Sequence, residues 1–187
     1  MSYTIFQPCE ELKPFVSHFW AADWGAETQD NYSTYFVTAS SMTEIAFAFA
    51  ENELLFSSVQ GHTSTHLQVS AGGFYQMFGV SLYSYAVPFL FHLPASDVNN
   101  LFLSPETVLG NEAKILTERI ALASTVADRV RILTDYLKAQ LKKQRFGDRL
   151  IVSAVQYIKQ HGGNVSIADL SDHFSLSQKQ FERRFKT

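Results

Sequence analysis

A single cysteine, Cys9, stands in the whole chain, so no internal disulfide can staple it. No apolar run approaches the ~18 residues that a membrane-spanning helix requires. The most apolar stretch, YAVPFLFHL, is short and interrupted by Pro88. The N-terminal MSYTIFQPCEEL lacks both a basic start and a cleavable apolar segment, which argues against a secretory signal. A soluble chain in a reducing cytoplasm, with no membrane partner, is the expectation. Catalytic signatures are missing too: there is no GxSxG, no GxGxxG and no phosphate-cradling loop, and Gly72-Gly73 reads as a turn. His62 and His66 are the only closely spaced histidines. No HExxH accompanies them and no carboxylate or thiol completes a set, so they read as loop residues. Neither a metal nor a cofactor is expected. Glu44 with His18 is a conceivable acid–base pair that no pattern supports, and the chain is not read as an enzyme.

Positive charge is scarce through most of the chain. Before Asp128 only Lys13, Lys114 and Arg119 stand against twelve acids, for a net −9. From Asp128 onward twelve bases face six acids, for a net +6. A net charge of −3 therefore conceals an acidic module followed by a basic one, and the basic one is suited to a polyanion. Apolar residues make up 46% and charged residues 18%, enough to bury a real core and to exclude a disordered chain.

The first hundred residues have strand periodicity. TEIAFAFA alternates, with Ile45, Phe47 and Phe49 on one face and Ala46, Ala48 and Ala50 on the other. PFVSHFWAADW, ELLFSSVQ, THLQVSA and FYQMFGVSLY read as further short strands separated by turn signals. This spacing predicts a mostly-β small barrel or cupin-like sandwich over residues 1–110, within an α+β chain. After Pro94 the period changes. NEAKILTERIAL runs at helical spacing, and Thr125 caps a longer helix, VADRVRILTDYLKAQLKKQ. Its stripe is Val126, Val130, Leu133, Leu137 and Leu141, widened by Ile132, Tyr136 and Ala139. These two helices form a connector over residues 111–146 that packs on the β-rich part or on a second subunit.

Residues 147–187 carry the densest pattern. DRLIVSAVQYIKQHGG starts at Asp148 as N-cap and ends at Gly162. Ser166 then caps a two-turn helix with Asp169 as its box partner, and Val165 and Leu170 are placed as a staple. The device repeats at Ser177, with Gln180 as box partner and Leu176 stapled to Phe181. Ile167, Leu170 and Phe174 should point inward from the first helix, and Phe181 and Phe185 from the second. Two short stapled helices braced by a third form a helix-turn-helix arrangement. The free face of the last helix holds Gln178, Lys179, Glu182, Arg183 and Lys186. Lysine and arginine can reach guanine acceptors or phosphates, and glutamine can pair with adenine. The same face could also be a solvated surface, with Glu182 and Lys186 as an i,i+4 pair.

The stretch AVQYIKQHGGNVSIADLSDHFSLSQKQFERRFKT resembles the first half of the DNA-binding region of AraC-type transcriptional regulators. Ser171 stands where that family usually has alanine, and Ser175 replaces its turn glycine. Upstream, ELKPFVSHFWAAD, MTEIAFAF and GVSLYSYAVPFLFHLPASDVNN resemble the β-rich N-terminal domain of one subgroup, with Ser81 and Ser84 where arginine and proline are usual. The resemblance implies a homodimeric regulator that binds DNA and senses a small-molecule effector. It implies further that a second helix-turn-helix unit is missing after Thr187. Lys179 and Arg183 would contact bases or phosphates, Gln178 and Glu182 would tune specificity, and Ser177 would anchor the helix to the DNA backbone. Among the many rings of the β-rich part, Trp20, Trp24, Phe49, Tyr75 and Tyr83 are the expected lining of an effector pocket. The alternative is a small-molecule-binding or dimerisation module that does not bind DNA.

Overall fold

The computed structural model describes residues 2–25, 34–70, 73–74, 76–143 and 148–185. Eight strands are present among them: β1 Ser2–Phe6, β2 Val16–Asp23, β3 Thr34–Val37, β4 Met42–Ala50, β5 Glu53–Gln60, β6 Leu67–Ser70, β7 Gln76–Tyr83 and β8 Phe102–Leu103. Six form one antiparallel sheet in the order β1-β2-β7-β4-β5-β8, and β3 pairs with β6 separately. The fold is α+β, but the barrel is not formed. The large sheet ends at β1 on one side and β8 on the other and does not close on itself. Helices, not a second large sheet, cover its apolar face.

That face follows from the alternation of β4. Ile45, Phe47 and Phe49 are fully buried on one side, with Ala46 and Ala48 on the other. Ile45 is paired with Val80 and Phe47 with Phe78, and the two phenylalanine rings stack with centroids 6.3 Å apart. Four helices lie over them: α1 Val87–Phe91, α2 Pro105–Leu109, α3 Glu112–Ala121 and α4 Val126–Lys143. The first begins at Val87, earlier than the periodicity indicated. Pro88 is tolerated there because it sits in the first turn, where its missing N–H is not needed.

Ala113, Leu116, Ile120, Leu133 and Leu137 belong to the same buried cluster as Phe47 and Phe78, so α3 and α4 pack on the sheet. Thr125 caps α4 as expected, its Oγ1 accepting from the Asp128 N–H at 3.1 Å. Ala139 departs from the predicted stripe: it is exposed, and Gln140 is buried in its stead, its amide donating to Glu112.

Three helices complete the chain: α5 Arg149–Gln160, α6 Ile167–His173 and α7 Gln178–Phe185. Asp148 caps α5 by accepting from the Leu150 N–H at 3.1 Å. Both predicted capping boxes are formed. Asp169 accepts from the Ser166 N–H at 3.0 Å, and the Ser166 hydroxyl accepts from the Asp169 N–H at 3.0 Å. Gln180 and Ser177 exchange the equivalent bonds at 3.0 and 3.3 Å. The turn between α6 and α7 puts Ser175 at φ 53°, the left-handed region where glycine is favoured. Ala154, Leu170 and Phe181 are the buried centre of the three helices. Ile167, expected to point inward, is 48% exposed at the first position of its helix. Among the described residues no helix is long and apolar enough to cross a membrane.

Candidate nucleic-acid interface and ligand pocket

Positions 178, 179, 182 and 183 fall on one side of α7, and Phe181 and Phe185 on the other. Gln178, Lys179, Glu182 and Arg183 are all exposed, while Phe181 is buried against the preceding helices. Arg184 is used differently. Its Nη1 donates to Asp148 Oδ2 at 2.6 Å, tying the far end of α7 to the start of α5. Phe185, expected in the core, closes the helix half-covered at 41% exposure. Ser177 is exposed, but its N–H and hydroxyl both donate to the Gln180 side chain, so the capping box already occupies them. Lys186 lies outside the described residues.

A second candidate site lies on the sheet face opposite the large core. Strand register builds it in rows. One row runs Trp20, Gly79, Ala46, Ser58, and the next runs His18, Ser81, Glu44, Gln60, Phe102. The first row has Gly79 and Ala46 where the other face carries Phe78 and Phe47 or Val80 and Ile45, and a hollow of about 180 Å³ results. Gly79 is required there. A Cβ on it would come within 2.6 Å of the Trp20 ring and 2.7 Å of the Ile45 carbonyl oxygen, so only glycine lets the indole lie across the strand. Tyr3 stacks on Trp20 with centroids 6.2 Å apart, and Trp24 and Phe102 complete the walls.

Polar groups meet at one end of the hollow. The Ser81 hydroxyl donates to Glu44 Oε1 at 3.0 Å, and His18 Nε2 stands 3.5 Å from the same hydroxyl. Burial pushes the Glu44 carboxyl above its ordinary range, partly offset by the Ser81 bond, and burial pulls the His18 imidazole down. With its proton committed to Glu44 and its side chain buried, Ser81 is not arranged as a nucleophile. The Trp20 indole N–H is buried and has no hydrogen-bond partner among the described residues.

Of the five rings expected around a pocket, Trp20 and Trp24 come together here. Phe49 sits on the opposite face, fully buried, with the guanidinium of the buried Arg129 3.7 Å from its ring centroid. Strand alternation sends it there, since Phe49 is odd-numbered on a strand whose even positions line the hollow. Tyr83 stacks on Tyr85 at 5.7 Å, and the Lys159 ammonium of α5 lies 3.2 Å over its ring. It thus joins the terminal helices to the sheet instead of lining the hollow. Tyr75 lies outside the described residues. Glu44, Gln60, Tyr3 and Phe102 were not foreseen as lining. An acid on the alanine face of TEIAFAFA was the one available signal for them, because a lone charge among small residues needs a reason.

A family model described as Domain of unknown function (DUF6597) matches residues 4–104, the span that contains the sheet and its hollow. No curated protein matches the chain. Among solved structures, the crystal structure of the AraC-like transcriptional activator CuxR is similar at 12% identity, over 98% of this chain and 79% of that one, with a TM-score of 0.32.

Proposed function

This chain belongs to the DUF6597 family, and we propose that it is a sequence-specific DNA-binding transcriptional regulator of the AraC type. The observation that carries the reading is the two-sidedness of α7. One side is held by Phe181, the capping box and the Arg184–Asp148 pair, and the other offers Gln178, Lys179, Glu182 and Arg183 to solvent. A short helix braced at both ends with such a face is suited to a major groove. Lys179 and Arg183 contact phosphates or guanine edges, and Gln178 and Glu182 adjust base preference. Ser177 keeps the start of the helix close to the DNA backbone, and Lys186 is a further candidate DNA contact. The sheet and its hollow form the sensing part, and the working unit is a homodimer in the cytoplasm.

The test is fluorescence anisotropy of the full-length protein on random-sequence duplex DNA at two salt concentrations. Affinity should fall steeply with salt, and Lys179→Ala and Arg183→Ala should each reduce the logarithmic salt slope by about 1 if they meet phosphates. Binding that ignores salt, or that both variants leave unchanged, overturns the reading. A ligand-binding module without DNA binding is the second reading. The hollow walled by Tyr3, Trp20 and Phe102 beside Glu44 supports it.

A further inference from the structure

The two edges of the large sheet are finished differently. β8 is only Phe102–Leu103, and a strand so short offers almost no ladder to a newcomer. β1 runs over Ser2–Phe6, and among the described residues no strand pairs with its outer side. In an antiparallel ladder alternate residues turn their N–H and C=O groups away from the partner, so that outer side is a template for another chain. Edges that stay single are protected by charge, proline or a bulge. β1 has none of these. Its sequence SYTIF carries no charge and no proline, and its register with β2 runs unshifted from Ser2↔Asp23 to Phe6↔Phe19. Of its β2 partners only Asp23 is charged, and that carboxylate already accepts from the Gly25 N–H and the Gln76 amide.

The side chains fit the same reading. Tyr3 and Ile5 are 53% and 51% exposed and stand on the face of the hollow, opposite Ala22 and Trp20. An uncharged edge with an apolar face suits an uncharged, apolar strand, and β1 itself is one. In a two-fold antiparallel pairing centred on Thr4, every residue of β1 meets a residue of a second β1. Ser2 faces Phe6, Tyr3 faces Ile5, and Thr4 faces its own copy. Any other centre leaves part of the strand unmatched. This register also makes two aromatic–β-branched pairs, a kind that stabilises cross-strand contacts. Ile115 of α3 is exposed too, but its backbone bonds lie within the helix, and Glu118 and Arg119 flank it one turn on.

We infer that β1 is a homodimer interface: two copies join edge to edge through antiparallel β1 strands with Thr4 on the two-fold axis. The two six-stranded sheets then become one. The inference rests on reading the working unit as a homodimer, and it names the surface that forms it.

The test is sedimentation velocity of the full-length protein over a concentration series. The parent should dimerise. Thr4 is exposed, so Thr4→Lys and Thr4→Glu leave the fold intact. Each sets like charges opposite one another across the axis, and each should raise the dimer dissociation constant about fivefold. An equimolar mixture of the two should dimerise as well as the parent, because lysine then faces glutamate. A misfolded variant would not recover on mixing, so the rescue separates a lost interface from a lost fold. Ile115→Lys should change nothing. A dimer that ignores both Thr4 variants, one that Ile115→Lys breaks instead, or a weakening that mixing does not reverse overturns the inference and leaves the homodimer reading standing. Assemblies larger than a dimer also overturn it, since the pairing uses up β1 on both copies. A parent that stays monomeric at every concentration overturns the inference and the homodimer reading together. DNA binding is measured separately, by anisotropy on another surface.

Discussion

Among the described residues, twenty-three buried side chains from Leu12 to Leu137 share one cluster beneath the sheet, whereas the terminal helices share three, Ala154, Leu170 and Phe181. The first region can lose a contact and remain a folded unit. The second has so little apolar burial that caps, turn geometry and a single ring decide whether it holds. It compensates locally, with two capping boxes and an ion pair from Arg184 to the N-cap of α5. A region built this way keeps one helix face free of packing duties, which is what a reading helix needs.

The sharpest attempt to break this comparison sets Phe47→Ala against Phe181→Ala. Each should cost about 3–5 kcal/mol. Phe47→Ala should lower the main calorimetric transition. Phe181→Ala should leave that transition in place and raise hydrogen exchange in residues 149–185 alone. If Phe181→Ala lowers the main transition as far as Phe47→Ala does, the two regions are one cooperative unit.

Smaller changes test the local devices. Ser171 is 3% exposed and its hydroxyl has no partner among the described residues, so Ser171→Ala should stabilise the terminal helices by about 1 kcal/mol, read as slower exchange in α6 and α7. Ser166→Ala removes one half of a capping box and should cost about 1 kcal/mol in the same measurement. Ser175→Gly relieves a left-handed backbone and should return about 1 kcal/mol.

Glu44→Gln probes the sheet through pH. Burial holds the folded-state pKa of Glu44 above its ordinary 4.5, so the folded chain retains a proton that the unfolded chain gives up. The stability due to the protonated acid is complete below that ordinary value and is lost as pH rises through the folded value. Glu44→Gln should therefore melt higher than the parent at neutral pH, and the difference should close on acidification. A difference independent of pH would place the Glu44 side chain in water.

The two regions also differ in how far they could be read from sequence. For the terminal helices the reading reached individual atoms: Asp148, Ser166 and Ser177 cap, and Asp169 and Gln180 reciprocate. Each is a contact within a few residues. Ile167 was misread because a first-turn residue has no preceding turn to press it inward. For the sheet, the alternation of β4 was legible, with Ile45, Phe47 and Phe49 on one face. The pocket was not. Assigning Phe49 and Tyr83 to it took ring chemistry as evidence of location, while strand parity and the partner Lys159 decided where those rings went.

Sequence alone determined the longer strands and the helices after Gly110, though not β1, β3, β8 or α1, together with the capping chemistry and the charge contrast between acidic and basic parts, because these depend on periodicity and on neighbours a few positions away. Tertiary structure alone decided that the sheet stays open under four helices and that Trp20, Glu44 and Gln60 face one hollow floored by Gly79. Those residues come from β2, β4, β5 and β7, and only the pairing register brings them together.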